Sequence, residues 1–470
     1  MGVCRYLILT SDGPNKFRAP TFIPNLRHLN VLLLFLRRQA FLNNTRAMQL
    51  FQLMRLASVV LSSIVLAKSG LGTSEIGVYE ALTYLGTTFS FFWINGLLQA
   101  MPAVHSRLEQ EAKPAFLFQT FLVFSILSLL VFALLFFGEN PVVPWVTGLG
   151  ETPDYFPWFC LFLLFNLPTY PTEYYYLLKN HPQGIAVWGL VGFGGQVLAL
   201  ALPLFAGWGL TVAMQCLAGL AFIRLVWTAI LATRWGRAGW RPDLVRHFLT
   251  FGAPLVLNVL MGSLILLFDN WLVGWYYQDE AVFAVFRYGS RDFPLASAMA
   301  TALGAAMIPM LGADPEAGRN MLKKRSVKLF HLIFPLSMTL MLLSGTLFPI
   351  VFNPEFAASA PLFNIYLLMT ASRVLLPNAL LLAGGQPRII FRVGVLELLV
   401  KVLLGFVFIR WWGLEGVAWS AVAAFWVEKL GLIWYLKNRM QIETRSWLDF
   451  KWFFGYVITL LAVYLVTLVL

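Results

Sequence analysis

The chain has 470 residues, of which 59% are hydrophobic and only 12% are charged, and its formal net charge is +12. A soluble domain carries about 25% charged residues, so this composition excludes a soluble globular protein. Apolar stretches of membrane-spanning length recur from residue 50 to the last residue. They are too long and too uniformly apolar for the alternating strands of a barrel. The composition therefore predicts an all-α polytopic membrane protein.

Residues 1–47 stand apart from the rest of the chain. They hold one apolar run, LNVLLLFL, which is too short to span a membrane and is followed by Arg37 and Arg38. No small-residue cleavage site follows the run, so a signal peptide is not indicated. We interpret this segment as an N-terminal cytoplasmic tail, or as sequence upstream of a true start at Met48. A helix lying in the membrane interface is the alternative.

Twelve predicted spans follow in two sets of six. The first set comprises residues 52–70, 79–103, 115–137, 156–177, 183–206 and 210–233. The second comprises 248–276, 281–312, 329–352, 359–383, 389–409 and 414–436, and a thirteenth apolar run fills 452–470. We therefore predict an N-terminal six-helix bundle over 48–236, a C-terminal six-helix bundle over 245–440, and an additional transmembrane or interfacial helix over 450–470.

Basic residues lie on alternate connections between these spans. Those connections hold seventeen Lys and Arg residues, whereas the other connections hold only Lys68 and Arg410. This is the positive-inside pattern, and it predicts a multi-pass membrane protein whose N-terminus and basic connections are cytoplasmic. The surplus positive charge is attributed to orientation, and no nucleic-acid partner is predicted.

The two sets of spans share the positions of several Pro and Gly residues. Pro171, Pro182 and Gly189 recur as Pro377, Pro387 and Gly394, and the tripeptide WGL at 208–210 recurs at 412–414. Six spans separate each equivalent pair, an even number, so both halves have the same orientation. This predicts a parallel repeat, with two bundles related by a pseudo-twofold axis along the membrane normal. Such bundles enclose a cavity on the axis, and rocking them opens it to each side in turn.

Charged residues inside the predicted spans are the candidate functional residues, because a charge at mid-bilayer costs roughly 2.5–3.5 kcal/mol. Four arginines are candidates for a cationic, substrate-binding cavity lining: Arg287, Arg291, Arg373 and Arg55. Guanidinium groups bind phosphate through paired hydrogen bonds, so such a lining suits a diphosphate. The alternative for arginines near span ends, Arg224 above all, is that they extend to lipid headgroups.

Four further charges are candidates for ion coupling or for salt bridges: Asp269, Asp292, Glu397 and Lys401. Glu397 and Lys401 are four residues apart on one helical face, so we expect them to neutralise each other. Asp269 is expected either to pair with Arg287 or Arg291 on the next span, or to take part in ion coupling.

Signatures of enzymes and of bound cofactors are missing from the sequence. It contains no GxxxxGK[ST], no HExxH and no CxxC pair. We therefore predict a protein that is not an enzyme, with no cofactor and no metal, whose transport draws on a gradient. For an anion that leaves the cytoplasm, the membrane potential contributes about 2.3 kcal/mol per charge per 100 mV.

Several segments resemble bacterial polysaccharide flippases. They are SSIVLAKSGLGTSEIGVYEALTYLG at 62–86, FGAPLVLNVLMGSLILLFDNWLVGWYY at 251–277 with Asp269 near its outer end, and the QPRIIFRVG loop at 386–394. The resemblance covers about residues 48–440. That family, which includes the O-antigen flippases, belongs to the multidrug/oligosaccharidyl-lipid/polysaccharide exporter (MOP) superfamily.

The resemblance implies a secondary transporter that flips a polyprenyl-diphosphate-linked glycan to the outer leaflet by alternating access. The product would supply O-antigen, capsule or exopolysaccharide assembly, with membrane lipids, a polysaccharide polymerase and other assembly proteins as partners. One alternative is a cation-coupled multidrug or metabolite exporter. Such members often use acidic residues early in the N-terminal bundle, whereas span 1 offers Arg55 and no carboxylate. Another is a polytopic polysaccharide polymerase or glycosyltransferase, which needs a substantial extramembrane site.

Overall fold

The computed structural model describes residues 43–291 and 294–469. The predicted tail lies outside these ranges except for its last residues, which enter the first helix, and Asp292 lies outside them as well. Within the described ranges every regular element is a helix and no strand occurs. The predicted all-α, polytopic class is confirmed.

The helices are labelled in chain order. In the first half they are α1 (Asn44–Lys68), α2 (Thr73–Arg107), α3 (Ala112–Phe137), α4 (Glu139–Thr147), α5 (Phe156–Asn166), α6 (Thr172–Leu178), α7 (Pro182–Gly189), α8 (Gly195–Phe205) and α9 (Gly209–Arg234). In the second half they are α10 (Pro242–Tyr277), α11 (Glu280–Gly289), α12 (Pro294–Ala313), α13 (Pro315–Val351), α14 (Ser359–Arg373), α15 (Pro377–Ala383), α16 (Pro387–Arg439), α17 (Thr444–Trp447) and α18 (Phe450–Thr467). A π-helical stretch, Leu190–Gly194, joins α7 to α8, and 3₁₀ turns lie at Leu167–Thr169 and Pro354–Ala358.

Nine stretches of the described chain are helices long and apolar enough to cross a membrane. They coincide with nine of the thirteen predicted apolar segments. The other four fall on α2, on the pair α5 and α6, and on the two parts of α16.

Proline punctuation interrupts helices at equivalent places in the two halves. Pro171 immediately precedes α6, and Pro377 begins α15. The fourth and tenth predicted spans are therefore each two helices, because proline lacks the backbone N–H that a continuous helix needs. Pro182 and Pro387 each occupy the first turn of the following helix, where that N–H has no partner in any case.

The repeated WGL tripeptides also mark helix boundaries. Gly209, at the start of α9, has a φ of +79°, and Gly413 has a φ of +57°. A left-handed backbone favours glycine because it has no Cβ. Gly413 lies inside α16 and divides it into two helices at a kink. The eighth predicted span differs from the expected single helix: it consists of α11 and α12, and Pro294 begins the second part.

Two hydrogen bonds join the halves reciprocally. The hydroxyl of Tyr84 on α2 donates to the Leu267 carbonyl oxygen on α10 at 3.2 Å. The hydroxyl of Tyr288 on α11 donates to the Ser63 carbonyl oxygen on α1 at 3.1 Å. Tyr288 lies 204 positions after Tyr84, and Leu267 lies 204 positions after Ser63. A twofold relation between like-oriented halves generates such an exchanged pair, as the repeat predicts.

The halves meet closely at the end of the molecule that contains the α1–α2 turn, which we call the closed end. Gly77 lies so near the Glu280 backbone that no side chain would fit there. The Asn353 side chain donates to the Ala67 carbonyl oxygen at 3.3 Å. Away from this end α2 continues to pack on α10, whereas α12 packs mainly on α13 and α15 of its own half.

Helix α18 packs against α13 and α14 of the second half. The Tyr456 hydroxyl lies 2.7 Å from His331 Nδ1, and the Tyr456 ring stacks on Phe334 at a centroid distance of 5.2 Å. Helix α18 lies within the additional segment expected over 450–470, and its length and composition are those of a membrane span.

Replacing Gly96 with alanine is expected to destabilise the α2–α10 interface, because the added Cβ would lie 2.5 Å from Val256 Cα. Overpacking of this kind costs about 1–3 kcal/mol, which would appear as a lower Tm of the purified protein in detergent. Gly262→Ala on α10 is the control, since no atom lies within 4 Å of its added Cβ. Equal melting temperatures for the two variants would contradict the close packing.

Candidate functional site

One carboxylate and two guanidinium groups meet between the halves. Arg291 Nη2 lies 2.9 Å from Glu80 Oε1, and Arg287 Nε lies 3.5 Å from Glu80 Oε2. The Glu80 side chain is 6% exposed, whereas those of Arg287 and Arg291 are 24% and 26% exposed. We call these three residues the interface triad. Two positive charges against one negative charge leave the triad with a net positive charge.

Packing around α11 positions the two arginines. The Asp279 side chain caps the helix by accepting from the Val282 N–H at 2.9 Å. Beyond its other end, the Arg291 guanidinium lies 4.5 Å from the ring centroid of Tyr288. Tyr288 is buried and bonded to α1, so the triad is held where α1, α2 and α11 meet. The expected proximity of Arg287 and Arg291 is present, although their partner is Glu80.

A second charged cluster lies inside the C-terminal half. Lys401 Nζ is 3.0 Å from Asp269 Oδ2 and donates to the Ile265 carbonyl oxygen at 2.6 Å. The Tyr366 hydroxyl donates to the same carboxylate oxygen at 2.8 Å. The side chains of Lys401 and Asp269 are 2% and 6% exposed. Asp269 therefore pairs within its own half, because α10 presents it to Lys401 of α16 rather than to Arg287 or Arg291.

Lys401 pairs with Asp269 and not with Glu397, one turn before it, because its ammonium group is already held by α10. Glu397 is buried, and its Oε1 has no hydrogen-bond partner among the described residues. The neighbouring pair Glu428 and Lys429 lies at 2.8 Å. Glu397 and Lys401 do lie one turn apart on α16, as their spacing predicted. Lys401 nevertheless pairs with Asp269 of α10 and not with Glu397.

The four candidate arginines are distributed over three places. Arg287 and Arg291 belong to the interface triad. Arg373 ends α14 in the C-terminal half, with its guanidinium 5.3 Å from the Phe425 ring centroid. Arg55 lines a cavity of about 410 Å³ inside the N-terminal half. Arg287 and Arg291 share the Glu80 carboxylate, whereas a lining common to all four arginines stays a prediction.

Sequence reasoning missed Glu80 and Glu173 and misplaced Arg224. Arg224 does not extend to headgroups: its Nη1 donates to Asn166 Oδ1 at 3.1 Å, and its guanidinium lies 4.7 Å from the Trp188 ring centroid. Glu173 is 4% exposed and lines the same cavity. The available signal was that all three charges fall inside predicted spans, where lipid contact is costly.

The charged and polar side chains described above can bind charged groups and hydroxyl groups of a ligand. Within these ranges no group of three or more His, Cys, Asp or Glu side chains is placed to hold a metal ion. Cys160 and Cys216 are free thiols.

No family model matches this sequence, and no curated protein matches it. Solved structures do match. The inward closed conformation of the lipid II flippase MurJ aligns with a TM-score of 0.64 and 16% identity over 89% of this chain and 97% of that one. The inward-facing conformation of a multidrug resistance MATE family transporter of the MOP superfamily aligns with a TM-score of 0.58 and 15% identity, over 82% and 93%. Its outward-facing counterpart gives a TM-score of 0.53 and 14% identity, over 84% and 93%.

At these identities the likeness concerns the fold. The chain has the all-α fold shared by transporters of the MOP superfamily, with two helical bundles. This agrees with the superfamily that the sequence segments resemble. Membership in the O-antigen flippase family itself stays a prediction.

Asp269→Ala is expected to lower the free energy of unfolding by about 3–5 kcal/mol, because it leaves the Lys401 ammonium buried without its partner. The double variant Asp269→Leu with Lys401→Leu should recover most of that loss, since no buried charge remains. Thermal unfolding in detergent measures both.

The exposed pair Arg241 and Asp243, at 2.9 Å, provides the control, and Asp243→Ala should leave the Tm almost unchanged. A double variant no more stable than Asp269→Ala would show that Lys401 is not the group left uncompensated.

Proposed function

We propose that the chain is a secondary transporter that flips a polyprenyl-diphosphate-linked oligosaccharide from the cytoplasmic to the outer leaflet of the bacterial inner membrane. It would work by alternating access and supply O-antigen, capsule or exopolysaccharide biosynthesis, without catalysis or a cofactor. The observation that carries the proposal is the interface triad, with its surplus positive charge between the two halves of a transporter fold.

The triad has the chemistry that a diphosphate requires. Guanidinium donors form paired, charge-assisted hydrogen bonds to phosphate oxygens that are about twice as strong as neutral ones. Arg287 and Arg291 are each about a quarter exposed, so a ligand can reach them. In this structure the Glu80 carboxylate pairs with both guanidinium groups. A diphosphate with two or more negative charges would compete with this single carboxylate for both arginines.

The same competition links substrate binding to movement. Glu80 belongs to the N-terminal half and the two arginines to the C-terminal half, so the triad is a salt bridge between the halves. A substrate that binds the arginines releases Glu80 and weakens the contact near the closed end. A ligand shifts a two-state equilibrium by binding one state better, which is what alternating access needs.

The C-terminal half would provide the ion coupling. Asp269 Oδ1 and Glu397 Oε1 are buried without a hydrogen-bond partner among the described residues. A proton or a monovalent cation would satisfy such oxygens, and Lys401 would respond to the change of charge on Asp269. Arg373 and Asp292 are proposed to contribute to the substrate path and to ion coupling, respectively. Membrane lipids and polysaccharide assembly proteins are the proposed partners.

A cation-coupled multidrug or metabolite exporter is the second candidate. One observation favours it: Glu173 supplies the cavity that Arg55 lines inside the N-terminal half with the buried carboxylate that span 1 lacks. A carboxylate in a polar cavity within the membrane can take up and release a proton during transport.

Arg287→Gln and Arg291→Gln combined with Glu80→Gln should abolish flipping while preserving the fold, because no charge is left buried without a partner. Each lost charge-assisted bond is worth about 1.5–3 kcal/mol, so surface glycan should fall at least about tenfold. Lipid-linked oligosaccharide should accumulate on the cytoplasmic leaflet. The measurement is labelling of the outer leaflet in cells whose surface glycan depends on this chain.

Arg410→Gln, at an exposed position away from the triad, is the matched control and should retain flipping. Normal surface glycan from the triple variant would remove the diphosphate assignment. Dye export by the wild-type protein against an ion gradient, without any change in lipid-linked oligosaccharide, would instead support the exporter.

A further inference from the structure

A polar cavity lies inside the N-terminal half, apart from the interface triad. Its volume is about 410 Å³, and its walls come from α1, α2, α5, α6, α8 and α9. Among its lining residues, Val59 on α1 and Phe91 on α2 are 51% and 40% exposed. We call it the N-terminal cavity. The diphosphate proposal uses none of the polar groups that line its interior.

The charges of the N-terminal cavity do not cancel. Arg55 and Arg224 contribute two positive charges and Glu173 one negative charge. Within the described ranges, no salt bridge joins either arginine to a carboxylate, although Glu173 interacts with both at longer range. The residues that line the cavity therefore carry one surplus positive charge, and an uncompensated charge within the membrane is costly. A ligand with a single negative charge would remove that cost.

The Arg224 guanidinium is held in place before any ligand arrives. It lies against the Trp188 ring and donates to Asn166, while its Nε is buried without a partner among the described residues. A Cβ at Gly192 would lie 3.3 Å from its Cζ, so the absence of a side chain there gives the guanidinium room. Gly192 belongs to the π-helical stretch Leu190–Gly194, a deviation that is frequent at functional sites.

The rest of the lining suits a ligand rich in hydroxyl groups. The side chains of Tyr170 and Gln196 line the cavity and make no hydrogen bond to another described residue. Asn166 accepts from Arg224 through its oxygen, which leaves its amide N–H groups available. The volume lies at the small end of ligand pockets, which run from about 300 to 1,000 Å³. It suits one or two sugar rings but not a polyprenyl chain.

We propose that the N-terminal cavity binds a carboxylate-bearing sugar, a uronic acid residue of the glycan, with its carboxylate between Arg55 and Arg224. Tyr170, Gln196 and Asn166 bind its hydroxyl groups. This inference deepens the proposed function by naming an acidic sugar as part of the cargo. Binding of such a sugar to the N-terminal half can nevertheless be measured without a transport assay.

The test measures binding of D-glucuronate to the full-length protein in lipid nanodiscs, by its effect on the melting temperature and by ligand-observed NMR. D-glucose, which lacks the carboxylate, and acetate, which lacks the ring, are the comparison probes. Glucuronate should bind at least about tenfold more tightly than either, because it alone combines a charge-assisted contact with hydroxyl contacts. Equal binding of acetate would overturn the sugar assignment, and equal binding of glucose would overturn the role of the arginines.

Three variants test whether the charged residues of the N-terminal cavity bind the glucuronate carboxylate. Arg224→Gln should weaken glucuronate binding at least about tenfold, and Glu173→Gln should strengthen it, because the net charge of the cavity falls in the first and rises in the second. Arg55→Gln should also weaken binding. It changes an exposed side chain, so it serves if Arg224→Gln fails to fold. Unchanged affinity in Arg55→Gln would overturn the proposal.

The triple variant of the interface triad separates this inference from the proposed function. It should lose flipping yet bind glucuronate as the wild type does, since it leaves the N-terminal cavity intact. Loss of glucuronate binding in that variant would overturn the assignment of the sugar to the N-terminal cavity. Normal flipping by the triple variant would remove the diphosphate proposal while leaving sugar binding to stand on its own measurement.

Discussion

A charge inside a bundle of membrane helices must meet an opposite charge or a polar cavity, because lipid offers neither. The described part of this chain meets that constraint in three ways. Glu80 compensates Arg287 and Arg291 across the two halves. Asp269 compensates Lys401 within one half. Charges of the N-terminal half face a polar cavity. These contacts show that one charge pairing joins the two halves and that another lies within a single half.

The triad is the compensation most sensitive to movement, because its members belong to different halves. Charges paired within one half, as Asp269 and Lys401 are, move together and can remain paired throughout a rocking motion. Glu80 cannot stay with its arginines if the closed end opens. A negatively charged substrate is well suited to stabilise the separated state, since it replaces the carboxylate that the arginines lose.

The two halves are alike in backbone and different in chemistry. Exchanged tyrosine bonds and matching helix breaks relate them. Yet Glu428 lies 204 positions after Arg224, so equivalent helices carry opposite charges. Arg224 faces an open polar cavity, whereas Glu428 is paired with Lys429 in a buried cluster. The two halves thus share a backbone pattern but differ in the charges that they place at equivalent positions.

The sequence alone was sufficient for the all-α, polytopic class of fold, whereas the fourth and tenth predicted spans, each expected as one helix, are broken at Pro171 and Pro377. Those features depend on hydropathy and on backbone chemistry, which are local. It also indicated that Arg287 and Arg291 lie close together, because four residues separate them, and both contact Glu80. Only the tertiary structure decided that Glu80 is their partner, that Lys401 turns to Asp269, and that Arg224 enters a cavity. The packing of segments distant in sequence decides which face of a helix meets which neighbour. The residue pattern of one helix does not determine that packing.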